Sequence, residues 1–389
     1  MKSKFLLLGV IYLCFIVIGA ADSTLGTAWA GIRADMGFDL EFGGILSTTA
    51  VLFYSLSTSL LGKLSKFAKT STLTLIGLIF LITAFVGFFF APNFIFLVFM
   101  TFLSGTGSGL IDSSINSYTA KHFSSRVMNW LNCFWGMGAS ISPIIVSIAI
   151  ENGNWRYGYA VLFSFFAVAA VIVSISKAKK LWKYAVDEEE TSHADEINEP
   201  KNYLTKKIFQ YLHMAIFFVY MSLEGILGFW IVSVMIESRD LTMSEAALYP
   251  SIYFAFTMVG RFIFGMLSKY LSNVTMVRIG LILSIIGVVI LFFVTSPIII
   301  ALIGFGFAPV FPCLMHETNK RFSPDILERQ VGFQLSVGGI GIAIVSPLVG
   351  LVLSRIWLEA LFPIAFVLVV VTFALNEYIE GKARKGETA

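Results

Sequence analysis

Twelve long apolar runs leave this chain few ways to fold. They fall at approximately residues 5–30, 42–64, 71–91, 94–119, 127–150 and 156–176, then at 207–235, 245–268, 275–295, 297–317, 328–354 and 357–379. About 20 apolar residues in a helix cross the hydrocarbon of a bilayer, and the longer runs imply tilt or extension beyond it. Lipid offers the backbone no hydrogen-bond partners, so each run must satisfy its own N–H and C=O groups as a helix. The expected class is an all-α membrane protein with twelve transmembrane helices. Of 389 residues, 57% are hydrophobic and 13% charged, where a soluble domain carries about 25% charged residues. A net charge of +3 gives nucleic acid no purchase.

Lys2 and Lys4 before an apolar stretch reaching Gly19-Ala20-Ala21 have the outline of a secretory leader. The run continues to about Trp29 and many more spans follow, so it is read as the first span.

Basic residues orient the spans. With the N-terminus inside, 23 of the 27 Lys and Arg fall on the cytoplasmic side, leaving only Arg33, Arg156, Arg239 and Arg355 outside. Both termini are therefore expected in the cytoplasm of a cell (inner or plasma) membrane protein. The one long polar stretch, 177–206, opens with Lys177, Lys179, Lys180 and Lys183 and turns acidic from Asp187 to Glu199. It reads as a cytoplasmic linker between bundles at 1–176 and 207–389.

The two halves repeat each other. Gly62-Lys-Leu-Ser-Lys-Phe67 answers Gly265-Met-Leu-Ser-Lys-Tyr270, and Gly105-Thr-Gly107 answers Gly304-Phe-Gly306. Gly136-Met-Gly138 with Pro143 answers Gly339-Ile-Gly341 with Pro347. Duplicated six-helix halves form two pseudo-symmetric bundles and put a substrate site between them, near the midplane.

Three carboxylates stand alone in their runs: Asp22, Asp112 and Glu224. At that depth each costs on the order of 3 kcal/mol on insertion scales and belongs where it faces protein or a water-filled cavity. A solute and proton pathway follows. Desolvation favours the protonated form of such an acid, so Asp22, in the outer half of its span, can carry a proton; the alternative is an acid hydrogen-bonded to Ser23 or Thr24 for packing. Asp112 and Asn116 are four apart and share one helix face, where an acid and an amide can grip hydroxyls or clamp a neighbouring helix. Glu224 is a second titrating group, a substrate acceptor or a structural acid. Gly225 and Gly228 beside it predict a bend or discontinuity in span seven.

Asn129, Asn132 and Trp135 recur at three-residue spacing, an amide and ring set suited to a sugar face or to core packing. Trp230 and Gln334 are further candidate substrate contacts. Trp29 reads as an interface anchor. Arg261 could latch one conformation on a carboxylate or snorkel to the headgroups. His316 and Glu317 are expected to be solvated. Cys14, Cys133 and Cys313 have no metal-ligand spacing and read as buried thiols. No phosphate-binding loop, dinucleotide motif or His/Glu metal motif occurs, so neither an enzyme nor a cofactor or metal is expected.

The segments Gly105-Thr-Gly-Ser-Gly-Leu-Ile-Asp-Ser-Ser-Ile-Asn116, Leu131-Asn-Cys-Phe-Trp-Gly-Met-Gly138, Glu224-Gly-Ile-Leu-Gly-Phe-Trp230, Gly260-Arg261, Pro309-Val-Phe-Pro312 and Gly332-Phe-Gln334 resemble the major facilitator superfamily over essentially the whole chain. Within it they are most similar to the fucose–proton symporter family of sugar permeases. The resemblance implies the major facilitator fold, a proton-coupling acid at Asp22 and a coupling or substrate-binding acid at Asp112. Two departures stand out: Ser65 replaces the Asp usual in the loop after span two, and Asp112 stands where the fucose permease has Glu. The expected function is proton-coupled symport of a monosaccharide or similar solute by a monomeric carrier. A proton-driven drug exporter and a non-transporting membrane receptor are the alternatives.

Overall fold

The computed structural model describes residues 2–123, 125–183 and 206–384. Thirteen α-helices make the twelve spans. In the first half they are α1 (Lys2–Met36), α2 (Phe42–Leu64), α3 (Thr70–Phe90), α4 (Phe94–His122), α5 (Ser125–Glu151) and α6 (Arg156–Ala178). The second half has α7 (Lys207–Arg239), α8 (Met243–Leu267), α9 (Asn273–Phe293), α10 (Pro297–Phe307), α11 (Val310–Arg321), α12 (Pro324–Arg355) and α13 (Leu361–Arg384). No strand occurs among the described residues. Most of the polar stretch 177–206 lies outside them; what is described ends in a short turn, Leu181–Lys183, where the Trp182 carbonyl accepts from the Tyr118 hydroxyl at 2.8 Å.

Helix packing repeats from half to half. α1 packs on α5 as α7 packs on α12, α2 on α4 as α8 on α10, and α3 on α6 as α9 on α13. Two of the three glycine repeats seen in the sequence are the contacts that set these distances, while Gly62 and Gly265 face open space. A methyl on Gly105 would collide with the Ala50 carbonyl of α2, and one on Gly304 with the Tyr253 carbonyl of α8. Gly138 likewise meets the Ile16 carbonyl of α1, and Gly341 meets the Phe218 carbonyl of α7. Small residues allow such backbone approach where lipid supplies no hydrophobic drive between helices. Asp22 lies six residues beyond Ile16 and Glu224 six beyond Phe218, so the two acids occupy equivalent places in the two bundles.

Three expectations need correction. Span seven is not interrupted: α7 is one unbroken helix, and Gly225 gives room to Ile342 of α12. The interrupted span is the tenth, which breaks between α10 and α11 at Ala308-Pro309, where proline cannot donate to the helical ladder. Trp29 is no interface anchor; it is fully buried against Gly43 and donates to the Leu40 carbonyl at 3.0 Å.

The even number of spans puts both described chain ends on one face, called here the termini face. The halves meet along α1·α7, α2·α12 and α5·α8. At the opposite, far face, ion pairs bridge these seams. Arg33 pairs with Glu237 at 2.5 Å, Arg355 with Glu41 at 2.5 Å, and Glu151 accepts from the backbone N–H of Ser244 at 2.9 Å. The other two far-face arginines pair within a half, Arg156 with Asp35 and Arg239 with Glu359, each at 2.6 Å. These two pairs join spans one to six and seven to twelve, the same place in the repeat with the charges exchanged. Among the described residues no ion pair joins the halves at the termini face. There Arg321 pairs within the second half with Glu317 and Glu380, and Asn273 donates to Glu317 at 2.7 Å. Glu317 is therefore held in a polar cluster rather than solvated, while His316 is exposed as expected.

Candidate functional site

Six helices bring polar side chains to the space between the halves. Asp22 of α1 is exposed there and accepts two hydrogen bonds, from the Ser108 hydroxyl of α4 at 3.0 Å and from the Trp135 indole N–H of α5 at 3.1 Å. Its sequence neighbours are not its partners. Ser23 and Thr24 turn to Ser142 and to helix carbonyls one turn back, which fastens α1 to α5. The hydroxyl that bonds Asp22 is therefore Ser108 of another helix rather than Ser23 or Thr24 beside it.

One turn from Ser108 on the same helix stands Asp112. It accepts from the Tyr54 hydroxyl of α2 at 2.6 Å and from the Asn116 amide at 3.0 Å. The acid and amide expected on one face do share it, and they bond each other. Hydrogen bonds to an ionised acceptor are shorter and roughly twice as strong as neutral ones, so Tyr54 and Asn116 hold this carboxyl in one orientation. At ~1.5 Å rise per residue, Asp112 is ~15 Å from the end of α4 at His122. Asp22 and Asp112 lie within electrostatic reach of each other.

The second half contributes Glu224 and Arg261. Glu224 lies one turn after Tyr220, whose hydroxyl donates to the Phe307 carbonyl at 3.2 Å, and feels the charge of Arg261. Among the described residues Arg261 of α8 makes no ion pair, and its guanidinium lies 5.9 Å from the ring centroid of Trp135, across the seam. Phe254 of α8 packs edge-on to the same indole at 5.5 Å. Trp135 therefore touches both halves.

The remaining candidates divide. Asn132 is exposed one turn from Trp135, its amide resting on the Met128 carbonyl at 3.2 Å. The side chain of Asn129 lies outside the described residues. Trp230 and Gln334 are not brought to the central space. Trp230 is fully buried and donates to the Ser346 carbonyl at 3.0 Å, and Gln334 is fully buried against Thr318. Both tie one second-half helix to another, because each lies on its helix's inward face rather than on the face turned to the first half. Cys14 and Cys313 are buried, and Cys133 is partly exposed.

Sequence reasoning missed Tyr54, Ser108, Tyr220 and Phe254. Tyr54 and Tyr220 each put a hydroxyl inside an apolar span, where it needs a partner, and Tyr220 precedes Glu224 by one helical turn. Those were available signals. Nothing in the sequence pairs Tyr54 with Asp112 or Phe254 with Trp135.

Two apolar grooves lie away from this site. One, of about 180 Å³, runs between α9 and α13 and is lined by Val288, Phe292 and Phe362; the other, of about 260 Å³, runs between α5 and α6 past Ile145 and Val161. Neither holds an acid or a base. No group of His, Cys, Asp and Glu among the described residues could hold a metal.

Twelve spans in two repeated bundles, with ionisable groups gathered between them, define a polytopic carrier of the alternating-access kind. The chain belongs to the Major Facilitator Superfamily, whose sequence profile it matches over residues 11–346. It is 23% identical over 333 residues to the glucose/mannose transporter GlcP of Bacillus subtilis (strain 168), an alignment covering 79% of each chain. A crystal structure of a D-xylose-proton symporter superposes with a TM-score of 0.74 over 95% of this chain and 97% of that one, at 13% identity. That likeness shows a shared fold.

Proposed function

We propose that this chain is a proton-coupled symporter of a monosaccharide or similar polyol, working by alternating access as a plasma-membrane monomer. The observation that carries the reading is Asp22: a lone carboxylate, exposed between the halves, held by one donor from each of two other helices. An acid so placed can be wetted from one side and loaded with a proton. Its pseudo-symmetric counterpart Glu224 and Asp112, held by the Tyr54 hydroxyl, give the same space two further titrating groups. Asn116, Asn132 and Trp135 supply the amides and the ring that sugar hydroxyls and a sugar face require. The relative named as a glucose/mannose transporter supports a hexose as the substrate class.

In the same reading, residues 1–176 and 207–389 are the two rocking bundles and 177–206 is a cytoplasmic linker. The termini face is then cytoplasmic, since nearly all basic residues lie there, and closure at the far face makes this the inward-facing form. Protein in vesicles with an imposed pH gradient tests the reading, with internal pH and internal D-glucose followed together. Uphill glucose entry with alkalinisation of the proton source is expected. Entry indifferent to the gradient removes proton coupling, and gradient-driven efflux of apolar cations would establish the exporter instead.

A further inference from the structure

Arg261 is a cation without a fixed partner. It lies six residues before the end of α8 at Leu267, hence ~9 Å into the span at ~1.5 Å per residue. Charged side chains at such depth pair with one another or with carbonyls. Among the described residues Arg261 makes neither an ion pair nor a hydrogen bond, and its recorded neighbour is the ring of Trp135. That ring carries the N–H that Asp22 accepts. Indole donation to a carboxylate raises electron density on the ring, so an ionised Asp22 strengthens the hold of Trp135 on a cation above it. The carboxylate also attracts Arg261 directly through space.

We propose that Arg261 is a positioning residue of the coupling step, held across the seam by Trp135 while Asp22 is ionised and handed to Glu224 when Asp22 takes a proton. Protonation removes the charge behind the indole and leaves Glu224, in electrostatic reach on α7, as the acid that Arg261 feels within its own half. Arg261 and Glu224 belong to the second half, and Trp135 and Asp22 to the first. The change of partner therefore releases a tie between halves along α5·α8. The ionisable groups facing Arg261 are Cys133 on α5, Tyr220 and Glu224 on α7, and Tyr253 on α8 itself; α10, which also packs on α8, brings none. Those facing Asp22 are Asp112 and Tyr54. Asp22 is the group in this set joined to Trp135 by a hydrogen bond.

The inference rests on the symport reading for its purpose, but its test needs no sugar. Spin labels at the exposed termini-face positions Lys121 and Lys269 report the spacing of the halves in nanodiscs as pH is lowered. In the wild type the distance distribution should shift with pH, and Asp22→Asn should hold the low-pH distribution throughout. Arg261→Gln should lose the shift, and Arg261→Lys should restore part of it. Trp135→Phe keeps the ring and removes the N–H, and it too should lose the shift; it carries the test if Arg261→Gln fails to fold by thermal melt. A full wild-type shift in either Arg261→Gln or Trp135→Phe overturns the proposal. Wild-type vesicles that show the shift yet never accumulate D-glucose would strike the symport reading alone.

Discussion

Replacing Glu237 by Gln should open the far face more than any other single change to its ion pairs. Arg33 and Glu237 meet at 2.5 Å with side chains only 23% and 26% exposed. Glu237→Gln keeps the shape and leaves the Arg33 guanidinium partly buried without its anion. A net hydrogen bond to a charged group is worth about 1.5–3 kcal/mol, and each 1.4 kcal/mol is about tenfold in a two-state population. The ratio of far-face-open to far-face-closed molecules should therefore rise about 10- to 150-fold. Arg355 makes the contrast, because its side chain is 64% exposed, and Glu41, although only 13% exposed, keeps the Ser354 hydroxyl as a donor when the arginine is removed. Exposed pairs are worth about 0–1 kcal/mol, so Arg355→Gln should move the same ratio about fivefold at most. Spin labels at Tyr157 and Ile356, exposed far-face positions on opposite halves, read the ratio by pulsed dipolar spectroscopy. An Arg355→Gln effect equal to or larger than that of Glu237→Gln would refute the use of burial to rank these pairs. No change in either would mean that α1·α7 and α2·α12 packing closes the far face without them.

Four further outcomes are expected. Asp22→Asn should abolish uphill glucose accumulation while counterflow exchange survives at least in part, measured in the same vesicles; accumulation at the wild-type rate would move coupling to Asp112 or Glu224. Asn116→Leu strips Asp112 of a donor and the site of an amide, and should weaken D-glucose binding by about 1–3 kcal/mol in titration calorimetry, with Asn132→Leu as the comparison. An impermeant thiol reagent on intact cells should label a cysteine at Ile356 and miss one at Lys269, and the reverse pattern would invert the orientation. The Ser354 hydroxyl, with Arg355 beside it, holds the Glu41 carboxyl below the usual carboxylate range. The far-face closure this group supports is therefore complete at neutral pH and fades only as external pH falls below about 4.3, a loss of the closed distance population that Glu41→Gln should not show.

The class of this protein was legible without coordinates because lipid leaves the backbone so few choices. Twelve apolar runs had to be helices, four isolated far-side arginines fixed which loops share a face, and the paired glycines announced a duplication that the helix contacts reproduce. The three acids inside spans stood out for the same reason, as costly residues in an apolar setting. Partners were another matter. Hydrogen bonds between spans depend on rotation and depth, which an all-round apolar helix does not encode, so Ser108 and Trp135 could not be assigned to Asp22 nor Tyr54 to Asp112. The same gap explains Trp230 and Gln334: each has the chemistry of a site residue, but the helix face it occupies turns it into its own bundle. Arg261 shows the limit best, since its sequence marks a charge in the membrane while only the packing of α5 against α8 decides that it rests on a ring. Composition and period fix what must be buried in lipid; the meeting of helix faces in three dimensions decides which polar groups touch.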